Sequence, residues 1–490
     1  MNKYLQKTLE YAAGNFFNKL LLFLLLPIFT RFFIPEEFAV YTNLMIFFTL
    51  TSLIVLLGMQ QALFSHFYQE KTQKYQFSLI SSVYILLIIT GIFFSAIIII
   101  FKDQLAILTV RDSSYSQLFV NMAFIIFFNT IFTISTGFLN IMERSRQFAI
   151  ISSLQNLIVL ILIVIFAINK QLTLQLYFHF FTISTFVAAV VSIISVTRIT
   201  GKYDLPRKEK KCFSGSILSS MLKFGLVMIP GSIATLILQA SDRYMLTYLS
   251  PNTLYDVGIY SAGYRIGMIV HFLVTMTSLV YIPYAMKIAD QPNAKQINRT
   301  MYNYFTLFGI ILGSFVIIFG KELFYIFIDE LYFDSNKIVF AGVTSAFLYG
   351  IFNIVNIHFY SNRRAKNITL AVLSGAVLNI ILNFILIPRI GIYGAGIASV
   401  FAYLSILCIN FVVSAKLFQT KYNPLYFIVG IILLGFVAVI NYYITISWIA
   451  FIIKISSLIL TFVIVYFVMR KNDKFLDLWK KMRSKNEIQN

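Results

Sequence analysis

"LLLFLLLPIF" (Leu20–Phe29) and "LIVLILIVIFAI" (Leu157–Ile168) decide the fold. Neither alternates apolar with polar residues. A strand of a membrane barrel alternates over about ten residues, with one side to lipid and the other to a polar lumen. These runs are apolar on every side. In lipid the backbone must satisfy its own hydrogen bonds, which helices and closed barrels do. Continuous apolar runs therefore predict spanning helices. Such runs recur from end to end: of 490 residues, 59% are hydrophobic and 12% charged, against about 25% charged in a soluble domain. The predicted fold class is an all-α polytopic membrane protein.

Fourteen spans are predicted, at 12–34, 41–63, 78–101, 117–140, 149–168, 174–197, 220–249, 257–283, 301–320, 338–360, 367–387, 391–415, 424–445 and 448–469. Each can cross about 30 Å of hydrocarbon, and the short linkers make neighbours antiparallel. The first run is too long for a cleavable signal and lacks a small-residue cleavage site, so it should stay as an anchor. With the N-terminus in the cytoplasm, cytoplasmic segments hold 27 of the 39 basic residues, outer loops 6, and spans 6. Lys and Arg concentrate on the cytoplasmic side of membrane proteins, so both termini are expected there. The net charge of +20 is mostly topological. No nucleic-acid motif accompanies it. The basic run "RITGKYDLPRKEKK" (Arg198–Lys211) and the tail from Arg470 can also meet anionic membrane lipids.

The chain repeats itself. "FTRFFIPEEFAVY" (Phe29–Tyr41) and "SDRYMLTYLSPNTLYDVGIY" (Ser241–Tyr260) both run from an Arg through aromatics and a Pro turn to a Tyr opening the next helix. "RSRQFAI" (Arg144–Ile150) and "NRRAKNITL" (Asn362–Leu370) repeat at a similar offset. Six spans per repeat give both halves one orientation, a parallel repeat of the kind transporters use, with substrate paths between the halves. The expected organisation is an N-lobe of helices 1–6 (1–197), a basic cytoplasmic loop (198–219), a C-lobe of helices 7–12 (220–415), and helices 13–14 with a basic tail (416–490). Cys212 and Cys408 look too far apart to pair, and the four histidines lack metal-ligand spacing. There is no catalytic set, no metal site and no cofactor signature, so an enzyme is not expected.

"LNIILNFILIPRIGIYGAGIASVFAY" (Leu378–Tyr403) carries Asn379 and Asn383 on one helical face, then Ile387-Pro388 and Gly391, Gly394 and Ala395 before a small-residue helix. Gly391, Ala395 and Ala398 fall at i, i+4 and i+7, a smooth face that lets helix backbones approach in lipid. The stretch resembles the Wzx-type flippases of the multidrug/oligosaccharidyl-lipid/polysaccharide (MOP) exporter superfamily. Asp242 to Ile266 resembles that family's seventh and eighth helices. The resemblance implies two six-helix lobes around a central cavity, opening alternately to each side. It implies a polyprenyl-diphosphate-linked oligosaccharide as substrate, moved across a bacterial inner membrane for O-antigen, capsule or similar polysaccharide. Glycan polymerases and glycosyltransferases would be its further partners.

Seven charges fall within spans: Lys19, Arg31, Lys223, Asp242, Arg243, Arg265 and Lys454. A charge at a helix centre costs about 2.5–3.5 kcal/mol on insertion scales, so such groups face cavities or partners. Six are basic, which suits an anion such as a diphosphate. Lys223 and Lys454 lie near span ends and can snorkel to the interface. Lys19 lies about 10 Å past Ala12 and Arg265 about 12 Å past Val257, at 1.5 Å per residue. Lys19 shares a polar stripe with Asn15 and Asn18, and Tyr260, Tyr264 and His271 line a face near Arg265. Aromatic and hydroxyl groups suit sugar rings, although single tyrosines usually serve core packing. The candidate substrate cations are therefore Lys19, Arg31, Arg243 and Arg265, with Asn15, Asn18, Tyr260, Tyr264 and His271 as cavity walls.

Asp242 and Arg243 have two readings. They form an interfacial anchor with Arg243 toward headgroups, or Arg243 faces Arg31 across the pseudo-two-fold as an outer gate with Asp242 as latch partner. Pro230 and Gly231 should bend the helix below them. Asp242 is also the one acid within a span and the first candidate for coupling to Na⁺ or H⁺, although the adjacent Arg243 favours its ionised form. A lipid II flippase and a multidrug/cation antiporter are the rival functions. A membrane glycosyltransferase or polymerase fits least, because the longest outer loops span about 16 residues.

Overall fold

Pro35 opens a helix as its sequence dictates. Its ring presets φ and its missing N–H is unneeded in a first turn, and Glu36 and Glu37 follow at the positive end of the helix dipole. The structure, a computed structural model, describes residues 18, 20–21, 23–70, 72–203, 213–361, 364–418, 422–444 and 448–470. Every regular element among them is helical: α1 (Phe23–Phe32), α2 (Pro35–Val55), α3 (Met59–His66), α4 (Gln73–Ile100), α5 (Lys102–Val110), α6 (Ser116–Ile141), α7 (Ser145–Ile168), α8 (Leu174–Thr200) and α9 (Gly215–Leu249) in the first half. In the second half α10 (Thr253–Gly267), α11 (Val270–Lys287), α12 (Ala294–Ile318), α13 (Gly320–Phe327), α14 (Asn336–Val355), α15 (Ile357–Ser361), α16 (Ala365–Ile390), α17 (Ile392–Phe418), α18 (Pro424–Tyr443) and α19 (Trp448–Arg470) follow. Twelve helices among the described residues are long and apolar enough to cross a membrane, and α10 with α11, bent by 53°, are together long and apolar enough for another. With α1 as the described part of the first span, this is a polytopic membrane protein of about fourteen spanning helices.

Two predicted spans are broken. The expected span 41–63 divides into α2 and α3 at Leu57 (φ 48°) and Gly58 (φ 67°). Glycine enters this left-handed region without the Cβ clash other residues meet. It also allows close approach: a Cβ on Gly58 would lie 2.3 Å from the Gly225 carbonyl oxygen, and one on Gly225 2.4 Å from that of Leu57. The expected span 257–283 breaks between Gly267 and Val270. By contrast α9 runs on through Pro230.

Packing divides the chain into two compact units, Met1–Gly258 and Ile259–Asn490. The expected start of the second lobe at residue 220 differs from this division, because α9 packs on α2, α3 and α4 and belongs to the first unit. Besides the Gly58–Gly225 approach, the Asn43 amide of α2 donates to Thr247 Oγ1 of α9 (2.9 Å) and to the Thr109 carbonyl of α5 (3.1 Å). An apolar core that includes Met59, Leu63, Phe67, Leu79, Phe138 and Met221 fills the space between α3, α4, α6 and α9. In the second unit the two final helices pack on α12, and α17 packs on α14 and α16. The smooth face expected around Gly391 works differently. Gly391 (φ 54°) turns the chain between α16 and α17 with open space about it. The close approach to α14 is made instead at Gly396, where an added Cβ would lie 2.9 Å from that of Ala341.

Candidate functional site

In the first unit the expected span charges are held in different ways. Asp242 and Arg243 are 1% and 8% exposed. The Arg243 guanidinium donates to the Gln239 carbonyl one turn back (2.7 Å), and Thr247 Oγ1 closes the next turn on the Arg243 carbonyl (2.8 Å). The Tyr244 hydroxyl donates to the Asn43 carbonyl (3.2 Å) and that of Tyr248 to the Leu108 carbonyl, while Arg111 covers the Tyr248 ring at 5.4 Å. This end of α9 is thus tied to α2 and α5, and Arg243 lies within protein rather than reaching out as an interfacial anchor would. Arg31 is exposed. Arg31 and Arg243 both fall in the first compact unit. Lys223 is exposed. Asn15 and Lys19 lie outside the described residues. Asn18 is described, and its Oδ1 accepts from the Asn156 amide of α7 (3.2 Å).

Asn156 lies on the wall of a cavity of about 190 Å³ inside this unit. Asn129 and Gln155 share that wall, and Phe48, Tyr177 and Phe181 form an aromatic side. Gln155 Nε2 donates to Thr185 Oγ1 of α8 (2.9 Å). Sequence reasoning weighed charges and passed over these carboxamides. The available signal was polar residues that interrupt apolar spans, as "LQN" does at the head of the α7 run.

In the second unit, Gly263 and Gly267 set the direction of Arg265. A Cβ on Gly263 would lie 2.0 Å from the Ser335 carbonyl oxygen, and one on Gly267 2.6 Å from Gly342 Cα. Both glycines therefore face the α14 segment. Arg265 is two residues from each, about 200° around the helix, so its half-buried side chain leaves from the opposite side. Tyr260 and Tyr264 stack with ring centroids 5.5 Å apart, and both are buried. His271 stacks on Tyr349 at 5.5 Å, and its Nδ1 pairs with Thr275 Oγ1 (3.3 Å).

Lys454 departs from expectation. It does not snorkel: its side chain is fully buried, and its ammonium donates to both Glu322 oxygens, at 2.7 and 2.8 Å. Lys321 beside it donates to the carbonyls of Tyr442 (3.3 Å) and Ile444 (2.8 Å). Burial, and then the charge of Lys454, hold the Lys321 ammonium below the ordinary lysine range, with Glu322 opposing. One of the six span cations is thus neutralised by the protein itself. A second missed cluster is polar and buried: Asn298 accepts from the Tyr281 hydroxyl and faces His358 Nε2 (3.5 Å), and the Asn410 amide donates to Asn356 Oδ1 (2.7 Å).

Residues 4–289 match the model of a family described as polysaccharide biosynthesis protein. Over 236 residues the chain is 25% identical to an uncharacterized membrane protein of Methanocaldococcus jannaschii, covering 45% of each. The chain thus spans under half the length of the curated relative it matches. A lipid II flippase, MurJ, in an inward closed conformation shares the fold with a TM-score of 0.70 at 17% identity, over 94% of this chain and 99% of that one. An inward-facing multidrug resistance MATE transporter of the MOP superfamily gives 0.59 at 14% identity, over 84% and 96%. A MOP superfamily transporter from Pyrococcus furiosus, described as having a binding pocket of reverse polarity, gives 0.58 at 14% identity, over 84% and 96%.

Proposed function

Because the chain belongs to the polysaccharide biosynthesis protein family, we propose that it is a flippase that moves a polyprenyl-diphosphate-linked oligosaccharide from the cytoplasmic to the outer leaflet of a bacterial inner membrane. The family match carries this reading. The likeness to a lipid II flippase bears on the fold alone at 17% identity. The charges within spans narrow the substrate further. They are basic with the exception of Asp242, and the pairing of Lys454 with Glu322 leaves Lys19 and Arg265 as the deep candidates for an anion. A planar guanidinium donates two parallel hydrogen bonds to phosphate oxygens. Arg265, directed away from the α14 packing face, is suited to a diphosphate. The paucity of acids in spans disfavours a cation antiporter. Glycosyltransferases that build the lipid-linked substrate and a polymerase that consumes it are the partners this chemistry requires.

The test is surface glycan in cells that depend on this protein for it. Arg265→Ala and Lys19→Ala are each expected to abolish surface glycan at unchanged protein level, and Arg265→Lys to restore part of it. Full export by Arg265→Ala would remove this residue from the substrate path.

A further inference from the structure

We propose that the cavity inside the first unit is a binding site for one neutral pyranose ring, an inference that rests on the proposed oligosaccharide cargo and gives part of it a place. Three features of the cavity suit a sugar. The first is hydrogen-bonding capacity. Asn129 makes no hydrogen bond among the described residues, Gln155 is held through Nε2 by Thr185, and Asn156 is held through its amide by Asn18. Each of the two held carboxamides keeps its other end open, and Asn129 keeps both. Leaving such groups unmet inside a membrane protein costs free energy, and hydroxyls, which both donate and accept, meet either end of a carboxamide.

The second is the aromatic side. Tyr177 packs edge-on against Phe29 (5.1 Å) and Tyr41 (5.2 Å) and stacks on Phe181 (6.0 Å), and Phe48 packs edge-on against Phe181 (5.8 Å). These rings are fixed by one another before any ligand arrives, which lowers the ordering cost of binding. A pyranose presents C–H faces to such rings and hydroxyl edges to carboxamides, the mixed lining that small-molecule sites use.

The third is size and charge. The described lining residues include no Asp, Glu, His, Lys or Arg, a lining suited to a neutral ligand. A volume of about 190 Å³ is about six times the ~30 Å³ share of a water molecule. That is room for one ring with its hydroxyls, and too much for three carboxamides to close a coordination shell around a bare monovalent cation.

Purified full-length protein in detergent is titrated with a panel of neutral methyl pyranosides to about 0.1 M, a roughly hundredfold excess over a millimolar Kd and enough to raise the unfolding temperature measurably. NaCl against KCl at constant ionic strength is the second arm. At least one pyranoside is expected to raise the melting temperature by several degrees. Asn129→Leu and Gln155→Leu should lose that shift, and Gly435→Ala in α18, with open space around it, should keep it. Should the leucine variants fail to fold, Asn129→Cys with Cys212 and Cys408 replaced by Ala gives the same answer, through slower maleimide labelling when the pyranoside is present. No shift with any pyranoside, or a shift that survives both leucine variants, overturns the proposal. A sodium-specific shift lost in those variants overturns it too, and makes the cavity an ion site. Pyranoside binding needs neither lipid nor transport. Its failure therefore leaves the flippase reading standing, whereas binding without flipping strikes that reading alone.

Discussion

At the scale of single residues, Lys454 and Glu322 show how a membrane protein keeps a buried charge. The Lys454 side chain is fully enclosed while that of Glu322 is 26% exposed, so the pair sits at the edge of the low-dielectric region. Breaking a buried pair by removing one partner typically costs about 3–5 kcal/mol, since the other charge stays uncompensated, whereas replacing both can be neutral. Lys454→Met is expected to destabilise at the lower end of that range because water reaches Glu322. Lys454→Met with Glu322→Gln is expected to recover most of the loss. Melting temperatures of the purified variants check this, and equal losses in the single and double variants would show that the pair contributes no coupling. This contact was not legible in the sequence. Hydropathy places Lys454 in an apolar run and Glu322 just beyond another, and nothing local signals a partner 132 positions away. Asp242 and Arg243 were legible as charges in a span, but the hydrogen bonds that hold the end of α9 to α2 and α5 come from long-range packing.

At the scale of elements, the break between α2 and α3 rests on backbone geometry rather than hydropathy. Gly58→Ala would place a methyl group 2.3 Å from the Gly225 carbonyl oxygen at a φ of +67°. The left-handed conformation costs a non-glycine residue about 1–2 kcal/mol, and overpacking about 1–3 more. A loss of at least about 2 kcal/mol is expected, while Gly435→Ala in α18, with open space around it, should change stability little. Thermal unfolding of both proteins separates the two, and an unperturbed Gly58→Ala would mean that α3 can move away from α9. Among the described residues, span positions were legible to within about seven residues, the largest miss being the start of α12 at Ala294 against 301, because apolar length and charge determine them. The breaks at 57–58 and 268–269 were not, since an apolar run reads alike whether straight or interrupted.

At the scale of the whole molecule, orientation follows from charge distribution. The excess of Lys and Arg in alternate loops predicts that cysteines placed at Asn252 and Gln171, in a background without Cys212 and Cys408, react with an impermeant thiol reagent added outside intact cells. A cysteine at Lys202 should react only after the membrane is opened. All three positions are exposed, so failure to label reports sidedness, and the opposite pattern would invert the topology. The count of spanning helices was legible from one sequence. The packing of α9 on α2, α3 and α4 was not, because a repeat in sequence does not say which helices touch.

The Lys454–Glu322 contact also orders the making of the protein. Chains emerge N-terminal end first, so Glu322 enters the membrane region 132 residues before its partner exists. During that interval a carboxylate waits in the first turn of α13 without its ammonium. When α19 is released, it brings a charge that lipid alone accepts only at a cost of about 2.5–3.5 kcal/mol. The waiting carboxylate thus acts as a receptor for the last helix.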